Sequence, residues 1–347
     1  GRTRSPGWRR NQLQALRRLL TENEAELAAA LREDLGKSLF DAVTTEIGFV
    51  VKEIDHALRH LRRWMGGQRA RTPMMTQPGK SRVQPVPMGV VLIIGAWNYP
   101  VELIGSPLVA ALAAGNAVVL KPSEVSVRTS AAWARLLPRY LDGEAVAVVE
   151  GEAQVTTMLL AERFDHILYT GNETVGRIVM SAAARHLTPV TLELGGKCPC
   201  LVDADADLAV AAARITWAKF MNAGQTCIAP DYVLVHERVL QPLLDGLQQR
   251  LRKCYGEDPA RSADYGRIVN ARHLARLRSY LPGQPVHLGG QVDEAQRYFA
   301  PTLVVNPPLD SPLMREEIFG PILPVLSVAD MAKAVAFVRA RPAPLAL

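Results

Sequence analysis

Residues 90–121 read VVLIIGAWNYPVELIGSPLVAALAAGNAVVLK, and Glu102 is the one charged side chain before the final lysine. The stretch is apolar enough to be mistaken for a membrane helix. It is interrupted, however, by Asn98-Tyr99-Pro100, by Pro107 and by Gly115-Asn116, whereas a spanning helix needs about 20 consecutive apolar residues. A buried strand, a loop, a helix of small residues and a second strand explain the composition better, and that order predicts a parallel βαβ unit.

The alternation of apolar strands and helices continues to residue 194. Each predicted strand is almost wholly apolar, which is typical of strands buried on both faces of a parallel sheet. We therefore predict a doubly wound, Rossmann-like parallel sheet, whose ligands bind at the carboxyl ends of its strands. The predicted strands are Val90–Gly95, Ala117–Leu120, Ala145–Val149, His166–Thr170 and Val190–Leu194, and the helices between them are Leu103–Ala114, Val127–Leu141, Ala153–Ala161 and Glu173–Ala184.

Helical segments precede this sheet, and a second α/β unit follows it. In the N-terminal third, Thr21-Glu22-Asn23-Glu24 predicts a capping box, with Leu27, Leu31 and Leu35 at helical spacing behind it. The segment Gln68–Pro87 is rich in proline and arginine and predicts a loop or an extended hairpin arm. The second unit is predicted from further helices and strands, among them the helix Leu208–Asn222 and the strands Tyr232–Val235, Thr302–Val305 and Ile322–Val328.

The overall composition describes a folded protein with a modest positive charge. The chain has 347 residues, 48% of them hydrophobic and 21% charged, and its net charge is +6. Much of the excess charge lies near the N-terminus without interleaved aromatic residues or a nucleic-acid-binding motif, so we interpret it as a solvated helix face and predict no nucleic-acid partner. The basic residues concerned are Arg2, Arg4, Arg9, Arg10, Arg17 and Arg18.

The four cysteines argue against a metal site and against a disulfide framework. Cys198, Cys200, Cys227 and Cys254 include no CxxC pair and no spacing typical of zinc ligands. Four cysteines are also too few to cross-link a chain of this length in the manner of small secreted domains. A reducing, cytoplasmic location is the prediction, while membrane association stays open.

Cys227 is the candidate nucleophile. A single cysteine is more often a buried structural residue, but this one follows Gly224, Gln225 and Thr226 at the end of a predicted helix, in a loop that can present a thiol to a pocket. An unperturbed thiol has a pKa of about 8.5, so catalysis requires local activation or a neighbouring base.

Two further positions offer groups that a thiol enzyme needs. Glu193 ends a predicted strand and precedes two glycines. Its carboxylate is either a general base that activates water or the partner of a salt bridge with Lys197. Asn98 follows a strand, where asparagine is common as a turn residue, but its amide could also stabilise a developing oxyanion.

The run Gly171-Asn172-Glu173-Thr174-Val175-Gly176 is a predicted strand-to-helix turn. It is neither GxGxxG nor a Walker A motif, since Arg177 stands where the latter needs lysine and a hydroxyl residue. A cofactor phosphate could still lie near the helix N-terminus. Lys121-Pro122-Ser123-Glu124 also follows a strand, and it is either a ribose- or phosphate-binding turn or an ordinary surface turn.

Taken together, these motifs resemble the aldehyde dehydrogenase superfamily. Six runs occur in the family's order over nearly the whole chain. They are WNYP (97–100), KPSE (121–124), TGNETVG (170–176), TLELGGK (191–197), NAGQTC (222–227) and EEIFGP (316–321). The surroundings of the fourth and fifth runs are most similar to the class 3 branch, which acts on fatty and aromatic aldehydes. Ala96 departs from the pattern, because a proline is usual before the Trp-Asn pair.

The resemblance implies a role for each matching residue. Cys227 matches the nucleophile, Glu193 the general base, and Asn98 the oxyanion-hole amide, completed by the backbone N–H of Cys227. It also implies an NAD(P)-binding domain over residues 1–194 and a catalytic domain over 195–347. The cofactor, NAD or NADP, is expected to contact Trp97, Lys121, Glu124, Gly171, Asn172, Glu173, Thr174, Val175, Gly176, Glu317 and Phe319.

The implied activity is the oxidation of medium- or long-chain aliphatic or aromatic aldehydes to carboxylic acids through a cysteine thiohemiacetal and a thioester. Two alternatives stay open. The first is an acylating or reductive aldehyde dehydrogenase. The second is an inactive nucleotide-binding fragment, because the family's glycine-rich C-terminal segment and oligomerisation strand have no counterpart here. The resemblance further implies a homodimer for the full-length protein.

Overall fold

The computed structural model describes residues 1–347, which form two compact units. The first unit comprises residues 1–31 and 42–193, and the second comprises residues 32–41 and 194–347. The predicted assignment of cofactor binding to residues 1–194 and of catalysis to 195–347 stays a prediction.

Thirteen α-helices are present, and none of them is both long and apolar enough to cross a membrane. A π-helical segment, Ala42–Ile47, precedes the fourth helix. The helices are α1 (Pro6–Glu22), α2 (Glu24–Leu35), α3 (Leu39–Asp41), α4 (Gly48–Met65), α5 (Glu102–Ala114), α6 (Val127–Tyr140), α7 (Ala153–Ala161), α8 (Glu173–Ala184), α9 (Leu208–Phe220), α10 (Leu240–Tyr255), α11 (Ala271–Ser279), α12 (Pro312–Arg315) and α13 (Met331–Arg339).

Fourteen strands form four sheets, two of which have five strands. The strands are β1 (Gln68–Ala70), β2 (Ser81–Val83), β3 (Val90–Ile94), β4 (Ala117–Lys121), β5 (Val146–Val148), β6 (His166–Thr170), β7 (Val190–Glu193), β8 (Pro199–Val202), β9 (Tyr232–His236), β10 (Val286–Leu288), β11 (Val292–Asp293), β12 (Tyr298–Phe299), β13 (Thr302–Val305) and β14 (Ile322–Val328).

The first unit contains the predicted doubly wound sheet. Its strand order is β5-β4-β3-β6-β7, and every pair is parallel. The chain moves outward from β3 to β5 and then returns to the other side of β3 for β6 and β7. The strand order therefore reverses between β3 and β6, which is the position where open α/β sheets bind ligands outside their carboxyl ends.

The N-terminal helices differ from the prediction at one point. Thr21 does not cap a helix, because it lies in the last turn of α1 and its hydroxyl donates to the carbonyl of Arg17 at 3.0 Å. The chain changes direction at Asn23, so the capping-box prediction was wrong. The predicted helical spacing of the leucines behind it is confirmed, since Leu27, Leu31 and Leu35 lie on α2 and are fully buried.

The arm between α4 and β3 is a short antiparallel hairpin, as one of the two predicted forms required. Strands β1 and β2 pair with Gln68 opposite Val83 and Ala70 opposite Ser81. Met74 and Met75 at its tip are almost fully exposed, at 88% and 98%. The arm thus presents apolar side chains to solvent.

The second unit is built on a mixed sheet of order β10-β13-β14-β9-β8. Four of its strands are parallel, while β10 pairs antiparallel with β13. Strand β8 was missed in the sequence because it is only four residues long and opens with Pro199-Cys200. It lies at the edge of the sheet, the place where a strand tolerates proline.

Residues 32–41 belong to the second unit because two arginines bind their backbone. Arg297 donates from Nη1 to the carbonyl of Asp34 at 2.8 Å and from Nη2 to that of Glu33 at 2.8 Å. The backbone N–H of Arg267 donates to the carbonyl of Leu35 at 2.7 Å. These contacts are distant in sequence, so no local pattern could have predicted them.

Candidate active site

Asn98 lies in the loop that follows β3, at the carboxyl end of the parallel sheet. Its side chain is buried, with 3% exposed. The loop is tied to the neighbouring strand at its start, where the N–H of Gly95 donates to the carbonyl of Lys121 at 3.1 Å. The predicted oxyanion donor therefore stands next to the position where the strand order reverses.

Two residues that the sequence analysis missed hold the far end of this loop. The fully buried carboxylate of Glu46 accepts from the N–H groups of Val101 and Glu102 at 2.7 and 3.1 Å, and so caps the start of α5. Val101 itself supplies no side-chain cap. The indole of Trp133 donates to the carbonyl of Pro100 at 3.1 Å. Both residues lie far from Asn98 in sequence, so only the fold reveals their task.

The turn after β6 leads into the capped N-terminus of α8. Asn172 caps α8, since its Oδ1 accepts from the N–H of Val175 at 3.0 Å. A Cβ on Gly171 would lie 2.2 Å from the hydroxyl of Tyr169, so only glycine fits there. Burial raises the pKa of Tyr169 to about 12, which keeps this hydroxyl protonated. The dipole of α8 and the N–H groups at its N-terminus would favour a phosphate group there.

Lys121 and Glu124 form one polar group at the end of β4. The amine of Lys121 donates to the carbonyl of Pro122 at 2.8 Å and to Glu124 at 3.1 Å. The lysine is buried, whereas the carboxylate is largely exposed. A free carboxylate oxygen beside an ammonium suits a ribose hydroxyl, and the ammonium alone suits a phosphate. The residues of this unit therefore fit a dinucleotide.

Glu193 is the last residue of β7, and its side chain is exposed. Its carbonyl accepts from the N–H of Gly171 at 3.0 Å, which ties the ends of β6 and β7 together. The alternative of a salt bridge with Lys197 finds no support, because the amine of Lys197 pairs with Asp231.

Cys227 follows a turn of unusual backbone geometry. Asn222, Ala223 and Gly224 have φ values of 52°, 51° and 73°, all in the left-handed region that residues with a Cβ disfavour. Gly224 allows a close approach as well, because a Cβ there would lie 2.3 Å from the carbonyl oxygen of Gly320.

The buried amide of Gln225 locks this turn. Its Nε2 donates to the carbonyls of Asn222 and Arg267 at 2.9 and 3.0 Å, and its Oε1 accepts from the N–H of Val269 at 3.0 Å. The thiol of Cys227 is left partly exposed. In the sequence, Gln225 has the character of an ordinary loop residue. In the structure, its side chain makes the contacts that position the thiol.

The segment that carries Glu317 and Phe319 is held by buried charges. Asp231 accepts from the N–H of Ile318 at 3.0 Å and pairs with Lys197, whose amine also donates to the carbonyl of Glu316 at 2.9 Å. Arg276 donates to the carbonyl of Ile318 at 2.8 Å. Phe319 itself has a φ of 46°. None of these supporting contacts is visible in sequence.

Gly195 leaves room for the carboxylate of Glu317. A Cβ on this glycine would lie 2.3 Å from Glu317 Oε2. Burial raises the pKa of Glu317 to about 7, against the opposing effect of the Gly196 N–H. The Oε1 atom is buried without a hydrogen-bond partner in the described structure.

Burial and a nearby charge in the second unit both affect the ionisation of the Cys227 thiol. Burial raises the pKa of Cys227, and the Glu317 carboxylate raises it further. The thiol of Cys198 donates to the carbonyl of Cys227 at 3.4 Å. Nearby, burial lowers the pKa of Lys219 to about 8, although the Asp231 carboxylate opposes this shift. The unbound thiol is therefore mostly protonated at neutral pH.

Each unit brings together a subset of the predicted residues. In the first unit, the positions at the ends of β3, β4, β6 and β7 share one edge of a parallel sheet. They are Trp97, Asn98, Lys121, Glu124, Gly171–Gly176 and Glu193. In the second unit, Glu317 lies close enough to Cys227 to affect its ionisation. The assigned roles stay predictions.

Replacing Glu46 by alanine should loosen the Asn98 loop. The change leaves the N–H groups of Val101 and Glu102 without their acceptor, and a buried unsatisfied group costs about 1–3 kcal/mol. We expect backbone amides in residues 101–105 to exchange hydrogen about tenfold faster, measured by mass spectrometry. Lys52→Ala, an exposed change on α4, is the control. Unchanged exchange in Glu46→Ala would contradict the capping role.

Replacing Glu317 by glutamine should lower the pKa of the Cys227 thiol. The wild-type carboxylate is charged above pH 7 and opposes the thiolate there, whereas an amide does not. The pH profile of Cys227 alkylation by iodoacetamide should move to lower pH. Peptide mass spectrometry separates Cys227 from the exposed Cys254. Glu316→Gln is the neighbouring control, and an equal shift in both variants would reject the assignment.

Comparison with known proteins places these features in a family. A family model described as "Aldehyde dehydrogenase family" matches residues 2–345. Mouse "Aldehyde dehydrogenase family 3 member A2" is 50% identical over 347 residues, which are 100% of this chain and 72% of that protein. Rat "Aldehyde dehydrogenase, dimeric NADP-preferring" is 48% identical over 100% of this chain and 77% of its own length.

A solved structure agrees with the sequence relatives. The substrate-bound state of Staphylococcus aureus AldH superposes with a TM-score of 0.97 at 43% identity, covering 99% of this chain and 75% of that one. With a family match across residues 2–345 and these relatives aligned over its whole length, the chain belongs to the aldehyde dehydrogenase family, in its class 3 branch.

Proposed function

We propose that this chain oxidises medium- or long-chain aliphatic or aromatic aldehydes to carboxylic acids with Cys227 as the nucleophile. The observation that carries the proposal is the left-handed turn at residues 222–224, which leaves one partly exposed thiol beside the Glu317 carboxylate. A thiol suits the reaction because it adds readily to a carbonyl, and the thioester formed after hydride loss is readily attacked by water, which expels the thiolate.

In the proposed mechanism, the Cys227 thiolate adds to the aldehyde carbon and forms a thiohemiacetal. The amide of Asn98 and the backbone N–H of Cys227 donate to the oxyanion. Loss of hydride from the substrate carbon converts the thiohemiacetal into the Cys227 thioester, and NAD or NADP, when bound, would supply the hydride acceptor. Glu193 then removes a proton from water, which attacks the Cys227 thioester and releases the acid. The exposed side chain of Glu193 is accessible to that water.

The cofactor is proposed to lie along the carboxyl ends of the first unit's strands. There it contacts Trp97 in the loop after β3. Gly171, Asn172, Glu173, Thr174, Val175 and Gly176 form the turn for its phosphates, and Lys121 and Glu124 contact the adenosine ribose. Glu317 and Phe319 are proposed to position the nicotinamide ribose and ring. Glu124 favours a free 2′-hydroxyl, whereas the ammonium of Lys121 favours a 2′-phosphate, so the proposed cofactor is NAD or NADP.

We also propose a homodimer for the full-length protein. The exposed apolar tip of the β1–β2 arm, Met74 and Met75, supports an interface there. One relative is described as dimeric. Localisation to the cytoplasm rests on the four free cysteines alone.

Three substitutions separate the proposed roles. Cys227→Ser should abolish aldehyde-dependent NAD(P)H formation, whereas Cys254→Ser should not affect it. Asn98→Ala should lower kcat by about 10²–10³-fold while the cofactor still binds, since one oxyanion donor is worth roughly 3 kcal/mol. The readouts are absorbance at the reduced-cofactor band and cofactor titration. Near-normal turnover in Asn98→Ala would reject its role.

Glu193→Gln tests the hydrolytic step and the alternative functions. This variant should form NAD(P)H in a single burst and retain an acyl group on Cys227, visible by intact-mass spectrometry, with Glu162→Gln as the control. The wild type should release free acid. Release of an acyl-thioester only when a thiol acceptor is added would favour an acylating enzyme. The absence of any adduct with bound cofactor would favour a nucleotide-binding fragment.

The dimer has its own test. Met74→Glu together with Met75→Glu should reduce the mass of the full-length protein, measured by light scattering, to that of a monomer. The exposed pair Val127→Glu and Met158→Glu, away from the arm, serves as the control. A dimer that survives the first pair would exclude the arm as the interface.

A further inference from the structure

A cavity of about 360 Å³ lies in the first unit, away from the predicted reaction residues. Helices α1, α4 and α5 and the segment after β2 line it. Most of its wall is apolar and includes Trp64, Met65, Val86, Val109 and Ala113. A volume of this size falls in the range of cavities that hold small organic ligands.

One wall carries a buried cation that lacks an anionic partner. Arg9 is 7% exposed, and its Nη1 donates to the carbonyl of Ala113 at 3.0 Å. Its Nε is buried without a hydrogen-bond partner. The guanidinium occupies the space beside Gly115, where a Cβ would lie 2.5 Å from both Cζ and Nε. A charged group in this setting normally has a counter-ion.

A second polar group in the wall is also unsatisfied. The hydroxyl of Ser106 is buried and has no hydrogen-bond partner. Ser106 lies about two helical turns before Ala113, whose carbonyl Arg9 binds, so one carboxylate does not reach both groups. The other titratable side chains of the lining are Glu53, which is exposed, and His56. The Glu53 carboxylate disfavours a ligand with more than one negative charge.

The cavity lies at the opposite end of the sheet from Asn98. Arg9 and Ala113 meet at the C-terminus of α5, and α5 leads directly into the start of β4. There the N–H of Ala117 donates to the carbonyl of Gly89, just before β3. A ligand in this cavity would therefore not occupy the carboxyl ends of the strands.

We propose that this cavity binds an apolar monocarboxylate, with its carboxylate on Arg9 and its chain against the wall formed by Trp64, Met65 and Val109. The ligand belongs to the same chemical class as the acid that the proposed reaction would release. The site itself does not depend on that reaction. A fatty acid of medium length satisfies the cation and the apolar wall together.

The test uses a diazirine-bearing octanoic acid as a photoaffinity probe on the full chain, without cofactor or aldehyde. Peptide mass spectrometry should find saturable labelling within residues 56–65 and 106–114, displaced by octanoate and not by octan-1-ol. Arg9→Gln should lower labelling there at least tenfold, whereas Arg10→Gln, an exposed change on the same helix, should not.

A second variant decides the case if Arg9→Gln does not fold. Ala110 is exposed and lines the cavity, so Ala110→Trp fills the space without disturbing the core. It should abolish labelling, while Ala110→Ser should retain it. The proposal is overturned if no saturable labelling maps to these peptides, if octan-1-ol competes as well as octanoate, or if Ala110→Trp labels normally. Because no turnover is measured, failure here leaves the proposed function untouched.

Discussion

The turn before Cys227 depends on backbone angles that most residues avoid. Asn222, Ala223 and Gly224 are consecutively left-handed, and this conformation costs about 1–2 kcal/mol for each residue with a Cβ. The three hydrogen bonds of the buried Gln225 amide offset that cost. The partial exposure of the thiol and the contact between Gly224 and Gly320 both follow from this one local geometry.

Around that turn, the second unit buries several ionisable side chains. Lys197 and Asp231 pair and also bind backbone groups, so their burial is compensated. Lys219 and one oxygen of Glu317 are buried without hydrogen-bond partners, and the pKa values of both residues move toward neutrality. Groups with such environments cluster at functional sites, because chemistry near pH 7 needs ionisable groups that titrate there.

The sequence predicted most of the first unit because its signals are local. Apolar strands such as Val90–Ile94 and helices of regular period reveal a parallel sheet, and the sheet then places Asn98 and Gly171 at one edge. The supporting contacts could not be predicted, since Glu46, Trp133 and Arg276 act across long stretches of chain. The edge strand Pro199–Val202 was missed because it is too short to show a period.

The run from Glu193 to Lys197 shows why neighbours in a motif need not share a task. Glu193 ends a strand of the first unit, Gly195 leaves space for the Glu317 carboxylate, and Lys197 pairs with Asp231. The sequence alone left the glutamate as either a general base or the partner of a salt bridge with the lysine. Because the lysine instead fixes the backbone of Glu316, its loss would act on the position of Glu317, not on the charge of Glu193.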